Sequence, residues 1–217
     1  MIAENLQTIR SRIDAAAKRA GRSPNDITLL AVSKLQPAQL IRDAYAAGQR
    51  DFGENYAQEL RDKAAELADL KDLRWHAIGP LQTNKAKYVA KAAYAFHALD
   101  RLDVAEELSK KRTQLLRCFV EVNVAGEASK SGIEPDALPD FLAKIRKLPN
   151  LEAVGLMSLP PLSEDPRPYF RKLKKLAEAE GLKELSMGTT ADFEAAIEEG
   201  ATIVRVGTAI FGERQKR

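Results

Sequence analysis

The run Ile-Thr-Leu-Leu-Ala-Val-Ser-Lys (27–34) is almost wholly apolar until it ends in Lys34. On a strand's period of two, Lys34 shares a face with Thr28, Leu30 and Val32. If that face is enclosed, desolvation penalises the ammonium, lowers its pKa and frees the amine to attack a carbonyl and form an imine. The plainer alternative is a lysine at a strand mouth whose head reaches water.

A second cluster lies near the C-terminus. The segment Leu-Ser-Met-Gly-Thr-Thr-Ala-Asp-Phe-Glu (185–194) passes from a short strand through a glycine turn into a helical pattern. It places Gly188, Thr189 and Thr190 where a helix N-terminus favours an anion. Thr-Ile-Val-Arg-Val-Gly-Thr-Ala-Ile-Phe-Gly (202–212) then sets Gly207 and Thr208 at the end of another strand, after a strand-interior Arg205. Together these predict a phosphate cup, against the alternative of ordinary capping by Thr190 and a tight turn at Gly207. Arg205 needs a partner, because an unpaired buried charge is costly; ion pairing with an acidic neighbour is one solution. An amine, a phosphate cup and an arginine between them suit a phosphorylated aromatic aldehyde, and pyridoxal 5′-phosphate has those parts.

Eight strand-like runs carry these groups: 27–34, 51–55, 74–80, 95–100, 117–125, 151–158, 184–188 and 202–212. Most lack polar alternation, as in strands covered on both faces. Helical stripes lie between them, among them Leu40, Ile41, Ala44 and Tyr45, and Ala137, Leu138, Phe141 and Ile145. Pro37 and Gly48 suit a helix start and stop; Thr83, Asp165 and Thr190 are expected N-caps, and Gly181 and Gly200 helix stops. Strand starts recur at about 20 to 35 residues, the length of a βα unit. The expectation is an α/β fold, a (β/α)8 TIM barrel with an extra N-terminal helix on Ile2, Leu6, Ile9 and Ile13, spanning residues 1–217 as one domain. An open doubly wound sheet is the alternative; either places ligands at the carboxyl ends of the strands.

With 34 basic against 31 acidic residues, the charge of +3 gives no electrostatic case for nucleic acid. No segment approaches the roughly 20 apolar residues of a membrane helix, and Glu4, Arg10, Arg12 and Asp14 interrupt any signal-peptide core. A lone Cys118 excludes an internal disulfide framework. A cytoplasmic protein that binds neither membrane nor nucleic acid is expected.

Six segments then carry a resemblance. Ala-Val-Ser-Lys (31–34), Phe-Gly-Glu-Asn-Tyr (52–56), Trp-His-Ala-Ile-Gly-Pro-Leu-Gln-Thr-Asn-Lys (75–85), Gly-Leu-Met-Ser (155–158), Leu-Ser-Met-Gly (185–188) and Val-Arg-Val-Gly-Thr-Ala-Ile-Phe-Gly (204–212) resemble, in order, the signature segments of the pyridoxal phosphate homeostasis protein family. That family is similar to the barrel domain of alanine racemase without its C-terminal β-domain, and this chain ends five residues after Gly212. The resemblance implies that Lys34 carries the internal aldimine, that Arg205 faces the pyridine nitrogen, that Thr190, Gly207 and Thr208 surround the phosphate, and that Asn55 lies near the ring. Thr189 stands where the family usually has methionine, which changes the packing beside the cofactor.

The resemblance further implies a monomeric carrier that buffers vitamin B6 and supplies pyridoxal phosphate-dependent apoenzymes, without established turnover. A racemase acting on amino acids is the alternative, and an aldolase using Lys34 and a sugar phosphate is a third reading. Arg205 at the ring nitrogen opposes its protonation and weakens the ring as an electron sink. A racemase also needs a second acid/base opposite the lysine; Tyr56 is the nearest local substitute.

The remaining polar groups are expected to be structural. His76 and His97 lack metal-ligand spacing and read as core or rim histidines. Cys118 reads as packing. Leu81–Lys85 is either a ligand loop or a helix start. The stretch 123–132 is either a mobile loop at the site mouth or a connector, and its Lys130 is a second amine able to hold the aldehyde transiently.

Overall fold

The computed structural model describes residues 1–126, 131–161 and 163–213. The apolar runs form β1 (Thr28–Val32), β2 (Asp51–Glu54), β3 (Arg74–Ala77), β4 (Ala95–Leu99), β5 (Leu116–Glu121), β6 (Leu151–Met157), β7 (Glu184–Thr189) and β8 (Ile203–Val206). They pair in parallel in chain order, and β8 returns to β1 with Leu30 opposite Arg205, closing the barrel. The open-sheet alternative is thereby excluded, and the (β/α)8 barrel stands.

Helices complete the βα units: α1 (Ile2–Arg19), α2 (Ala38–Ala46), α3 (Ala57–Glu66), α4 (Ala86–Ala92), α5 (Leu102–Lys111), α6 (Leu138–Ile145), α7 (Arg167–Ala179), α8 (Phe193–Glu198) and α9 (Thr208–Phe211). In α1 the stripe Leu6, Ile9 and Ile13 is buried, and the helix packs across α8 and α9. Burying each such side chain contributes roughly 1.5–3 kcal/mol, so the extra helix is an integral part of the core. Ile41 and Ala44 are buried in α2, as are Leu138, Phe141 and Ile145 in α6. Ala137 instead ends a preceding 3-10 turn and is exposed.

Several boundaries and caps differ from expectation; β1 stops at Val32 and β3 at Ala77, short of the ends of their runs at 34 and 80. The eighth run stops at Val206, because Gly207 (φ −118°, ψ −78°) turns the chain into the single-turn α9. The fifth ends at Glu121, four residues early. Thr190 is not the cap of α8; Asp192 holds that place, and its Oδ1 accepts from the Thr189 backbone N–H at 2.6 Å and hydroxyl at 2.9 Å. Residues 190–192 form a turn between β7 and α8, which carries the cap place on to Asp192. Thr83 likewise donates its hydroxyl to Asp103 and caps nothing, and Pro166, not Asp165, holds the N-cap place of α7, although Asp165 Oδ1 accepts from the Arg167 N–H at 3.1 Å.

Cys118 is fully buried in β5, and burial pushes its thiol up to about 12. With so little thiolate, the native protein is expected to react with a thiol reagent at pH 8 at least about a hundredfold more slowly than a free cysteine. One full equivalent should appear once guanidinium unfolds it. Rapid labelling of the native protein would contradict the packing role.

Candidate functional site

The strand order decides where the chemistry-bearing residues meet. β1 lies between β2 and β8, and β8 between β7 and β1. The turns after β1, β2, β7 and β8 are thus neighbours at one end of the barrel. A cavity of about 380 Å³ opens there, and Lys34, Asn55, Thr190, Arg205, Gly207 and Thr208 all line it. That size lies within the range of small-molecule sites, roughly 300–1,000 Å³. Val32, Ile78, Met157 and Leu159 give it apolar walls, and Thr189 completes the side next to Thr190.

Lys34 occupies the second position of a tight turn closed by the Gln36 N–H donating to the Ser33 carbonyl at 3.0 Å. Leu35, next in the turn, has φ +60°, the left-handed region that costs a non-glycine residue about 1–2 kcal/mol. Two side chains of α3 hold it there. Glu59 Oε1 accepts from the Leu35 N–H at 2.7 Å, and Lys63 Nζ donates to the Ser33 carbonyl at 2.6 Å. Strain kept at a ligand-facing residue in this way fixes the direction in which the Lys34 side chain departs.

Behind that turn is a cluster the sequence reading missed. Lys63 Nζ lies 2.8 Å from both Glu54 Oε1 and Glu59 Oε1, and the Ser33 hydroxyl donates to Glu54 Oε1 at 2.6 Å. Glu54 is 1% exposed, and its Oε2 has no hydrogen-bond partner among the described residues. Burial, only partly offset by Lys63 and Ser33, raises its carboxyl to about 7. One signal was available: Lys63 falls between Leu60 and Leu67 on the buried stripe of α3, where an apolar residue is expected.

Arg205 rises from β8 beneath the cavity and is 6% exposed. Its partners are not carboxylates. Nη1 donates to the Ser186 carbonyl at 2.6 Å and hydroxyl at 2.8 Å, and Nη2 to the Ser158 carbonyl at 3.0 Å. Burial draws its pKa down to about 10, while Asp192 and Glu121 pull the other way through space. The guanidinium therefore stays cationic at neutral pH.

The phosphate-cup candidates converge on one another. Thr190 Oγ1 accepts from the Gly207 N–H at 3.3 Å, tying the β7 and β8 turns together. A Cβ on Gly207 would sit 3.2 Å from the Val32 carbonyl oxygen, so a larger residue would have to push the β8 turn and β1 apart by a few tenths of an ångström. Gly188 has φ +91°, and a Cβ there would meet Ala196 at 2.5 Å, which lets β7 run hard against α8. Thr208 opens α9, in which the Ile210 and Phe211 N–H groups both donate to the Gly207 carbonyl, while those of Thr208 and Ala209 have no intrahelical acceptor.

Other candidates lie elsewhere. Tyr56 is 55% exposed and lines an adjoining cavity with Gln58, Lys63 and Lys85, not the one lined by Lys34. Thr83–Lys85 forms a 3-10 turn leading into α4, so Leu81–Lys85 is a helix start. Lys130 lies outside the described residues; of its stretch, Ser131 donates to Glu121 Oε1 at 2.8 Å and the Gly132 N–H to Asp100 at 3.3 Å. His76 and His97 are buried in β3 and β4.

Comparison with known proteins gives this arrangement its relatives. A family model described as alanine racemase, N-terminal domain, matches residues 5–215. The pyridoxal phosphate homeostasis protein of Pseudomonas aeruginosa is 49% identical, over 98% of this chain and 96% of its own length. The structure of PipY from Synechococcus elongatus with PLP bound superposes with a TM-score of 0.85 at 36% identity, covering 98% of this chain and all of the other. Alanine racemase from Corynebacterium glutamicum, at 17% identity and a TM-score of 0.68, shares the fold over 61% of its length. The chain belongs to the pyridoxal phosphate homeostasis protein family, within the alanine racemase N-terminal domain family.

Proposed function

We propose that the chain, acting as one barrel domain over residues 1–217, binds pyridoxal 5′-phosphate in the Lys34 cavity and takes part in intracellular vitamin B6 balance without catalytic turnover. One observation carries the reading: an amine, a buried cation and a glycine–threonine cup, drawn from three adjacent strand ends, line a single cavity. PipY, described with PLP bound, supports it. When bound, the group supplies an aldehyde and an electron-withdrawing ring. Lys34 would hold it, its Nζ being the primary amine able to condense with that aldehyde. Arg205 would face the ring nitrogen and oppose its protonation. Thr190, Gly207 and Thr208 would surround the phosphate, Asn55 would lie near the ring, and the apolar walls would exclude water.

Absence of turnover is supported by two features of the site. A cationic partner at the ring nitrogen weakens carbanion stabilisation. Tyr56, the nearest acid/base opposite Lys34, belongs to the adjoining cavity. No helix among the described residues is long and apolar enough to cross a membrane, and the reading extends to a cytoplasmic monomer that passes the cofactor to apoenzymes. The test is incubation with pyridoxal phosphate, a visible spectrum, borohydride reduction and peptide mapping. A yellow protein with one pyridoxyl phosphate group on the Lys34 peptide is expected. A colourless protein of unchanged mass would defeat the binding claim, and rapid racemisation of a common amino acid the non-enzymatic one.

A further inference from the structure

A continuous line of side chains crosses the barrel below the cavity. Asp51 on β2 accepts from Arg74 Nη2 at 2.6 Å and lies 3.0 Å from His76 Nε2. His76 Nδ1 lies 2.9 Å from His97 Nε2, His97 Nδ1 lies 2.8 Å from the Ser186 hydroxyl, and Ser186 Oγ accepts from Arg205. β4 and β7 are not neighbours in the barrel, so the His97–Ser186 bond spans the lumen.

The proton positions follow by elimination. An ionised carboxylate only accepts, so His76 donates through Nε2–H. A neutral His76 then accepts at Nδ1, which requires His97 to donate through Nε2–H. His97 in turn accepts at Nδ1 from the Ser186 O–H, leaving the Ser186 lone pair for Arg205. Every bond points the same way, with its negative end towards Arg205 and its positive end towards Asp51. The two charges are thus joined by aligned dipoles that stabilise both.

The surroundings keep both rings neutral. Burial lowers His76 against the pull of Asp51, with Arg74 and Arg117 adding to the fall. Burial, then His76, Arg205 and Arg117, holds His97 well below its ordinary value. Burial alone would raise Asp51, but His76 and Arg74 outweigh it and hold the carboxyl below its usual range. Tyr94 lies 5.5 Å from the His76 ring, Phe119 stacks on His97 at 4.3 Å, and Glu184 neutralises Arg117.

We propose that Asp51, His76, His97 and Ser186 form a one-way hydrogen-bond chain that positions Arg205 and sustains its charge beneath the cavity. They are positioning residues, acting on a bound ring through Arg205, and that last step rests on the proposed function. Two measurements separate the claims. In protein without cofactor, side-chain 15N NMR at pH 7 to 8 is expected to show both histidines neutral and protonated at Nε2, each titrating below its ordinary value. A histidine titrating near its ordinary value, or protonated at Nδ1, would overturn the chain.

In loaded protein, Ser186→Ala removes the hydroxyl acceptor from Arg205, leaves it the Ser186 and Ser158 carbonyls, and should raise the pH midpoint of the visible band by about one unit. Asp51→Asn should move it less in the same direction, and Ser186→Thr should restore it. Equal midpoints in wild type and Ser186→Ala would overturn the positioning role. Wild-type protein that takes up no cofactor would instead defeat the reading of the cavity, with the tautomers still deciding the chain.

Discussion

Lys34→Ala protein, mixed with pyridoxal phosphate and reduced with borohydride, is expected to carry no pyridoxyl group, whereas wild type is labelled stoichiometrically. The loss should be complete, because the C=N bond needs a primary amine and Lys34 is the lysine lining the cavity. The fold should survive. Lys34 is only half-buried, and the turn around it is held through the Ser33 and Leu35 backbone groups. Lys34→Arg makes the sharper control. It keeps the positive charge, but a guanidinium does not give up its proton, so it too should remain unlabelled. Undiminished labelling of either variant would move the covalent site to another lysine.

Lys63→Met is expected to destabilise the protein by about 3–5 kcal/mol at pH 8, read from guanidinium unfolding. Removing one partner of a buried ion pair leaves an uncompensated charge, and losses of roughly that size follow. Glu54, with a side chain fully shielded from solvent, is the charge left behind. The double variant Lys63→Met/Glu54→Gln should recover most of the loss, since a neutral amide of similar shape replaces the stranded carboxylate. The pH dependence has a definite sign. Folded Glu54 titrates at about 7 against an ordinary 4.5, so between those values the native state holds a proton the unfolded chain has released. Wild-type stability therefore falls as pH rises through that window, by about 3 kcal/mol from this group. The single variant should lose less at pH 5 than at pH 8. A loss under about 1 kcal/mol at pH 8 would show that Glu54 finds other compensation.

What could be read in advance, and what could not, follows from the range of the interactions. The barrel was legible because strands covered on both faces leave unbroken apolar runs, and a lysine or arginine inside such a run stands out. Lys34 and Arg205 stand out in this way, Thr190, Gly207 and Thr208 through the glycine turns that end two of the runs, and the closing of β8 onto β1 brings all five to one cavity. Thr190 reached that place for a reason other than the one expected. It ties two turns together, while Asp192 holds the N-cap place of α8 with its carboxylate turned back to Thr189, an assignment that composition does not settle.

The cluster behind the Lys34 turn was invisible for another reason. Ser33, Glu54 and Lys63 come from three separate stretches of the chain, and of them only Lys63, on the buried stripe of α3, stands out by itself. The histidine chain was half legible: a core or rim place for His76 and His97 was expected, but bonds linking Asp51 to Ser186 depend on which side chains meet across the lumen. Such meetings are set by register, which a linear pattern does not encode.

Closure of the sheet has a consequence for how this molecule meets others. Every strand has a neighbour on both flanks, so no open backbone ladder is offered to a second chain. Recognition by strand addition and the lateral stacking that seeds fibrils both require such a ladder. Any protein that docks on the barrel must be recognised through helix surfaces and loop side chains alone.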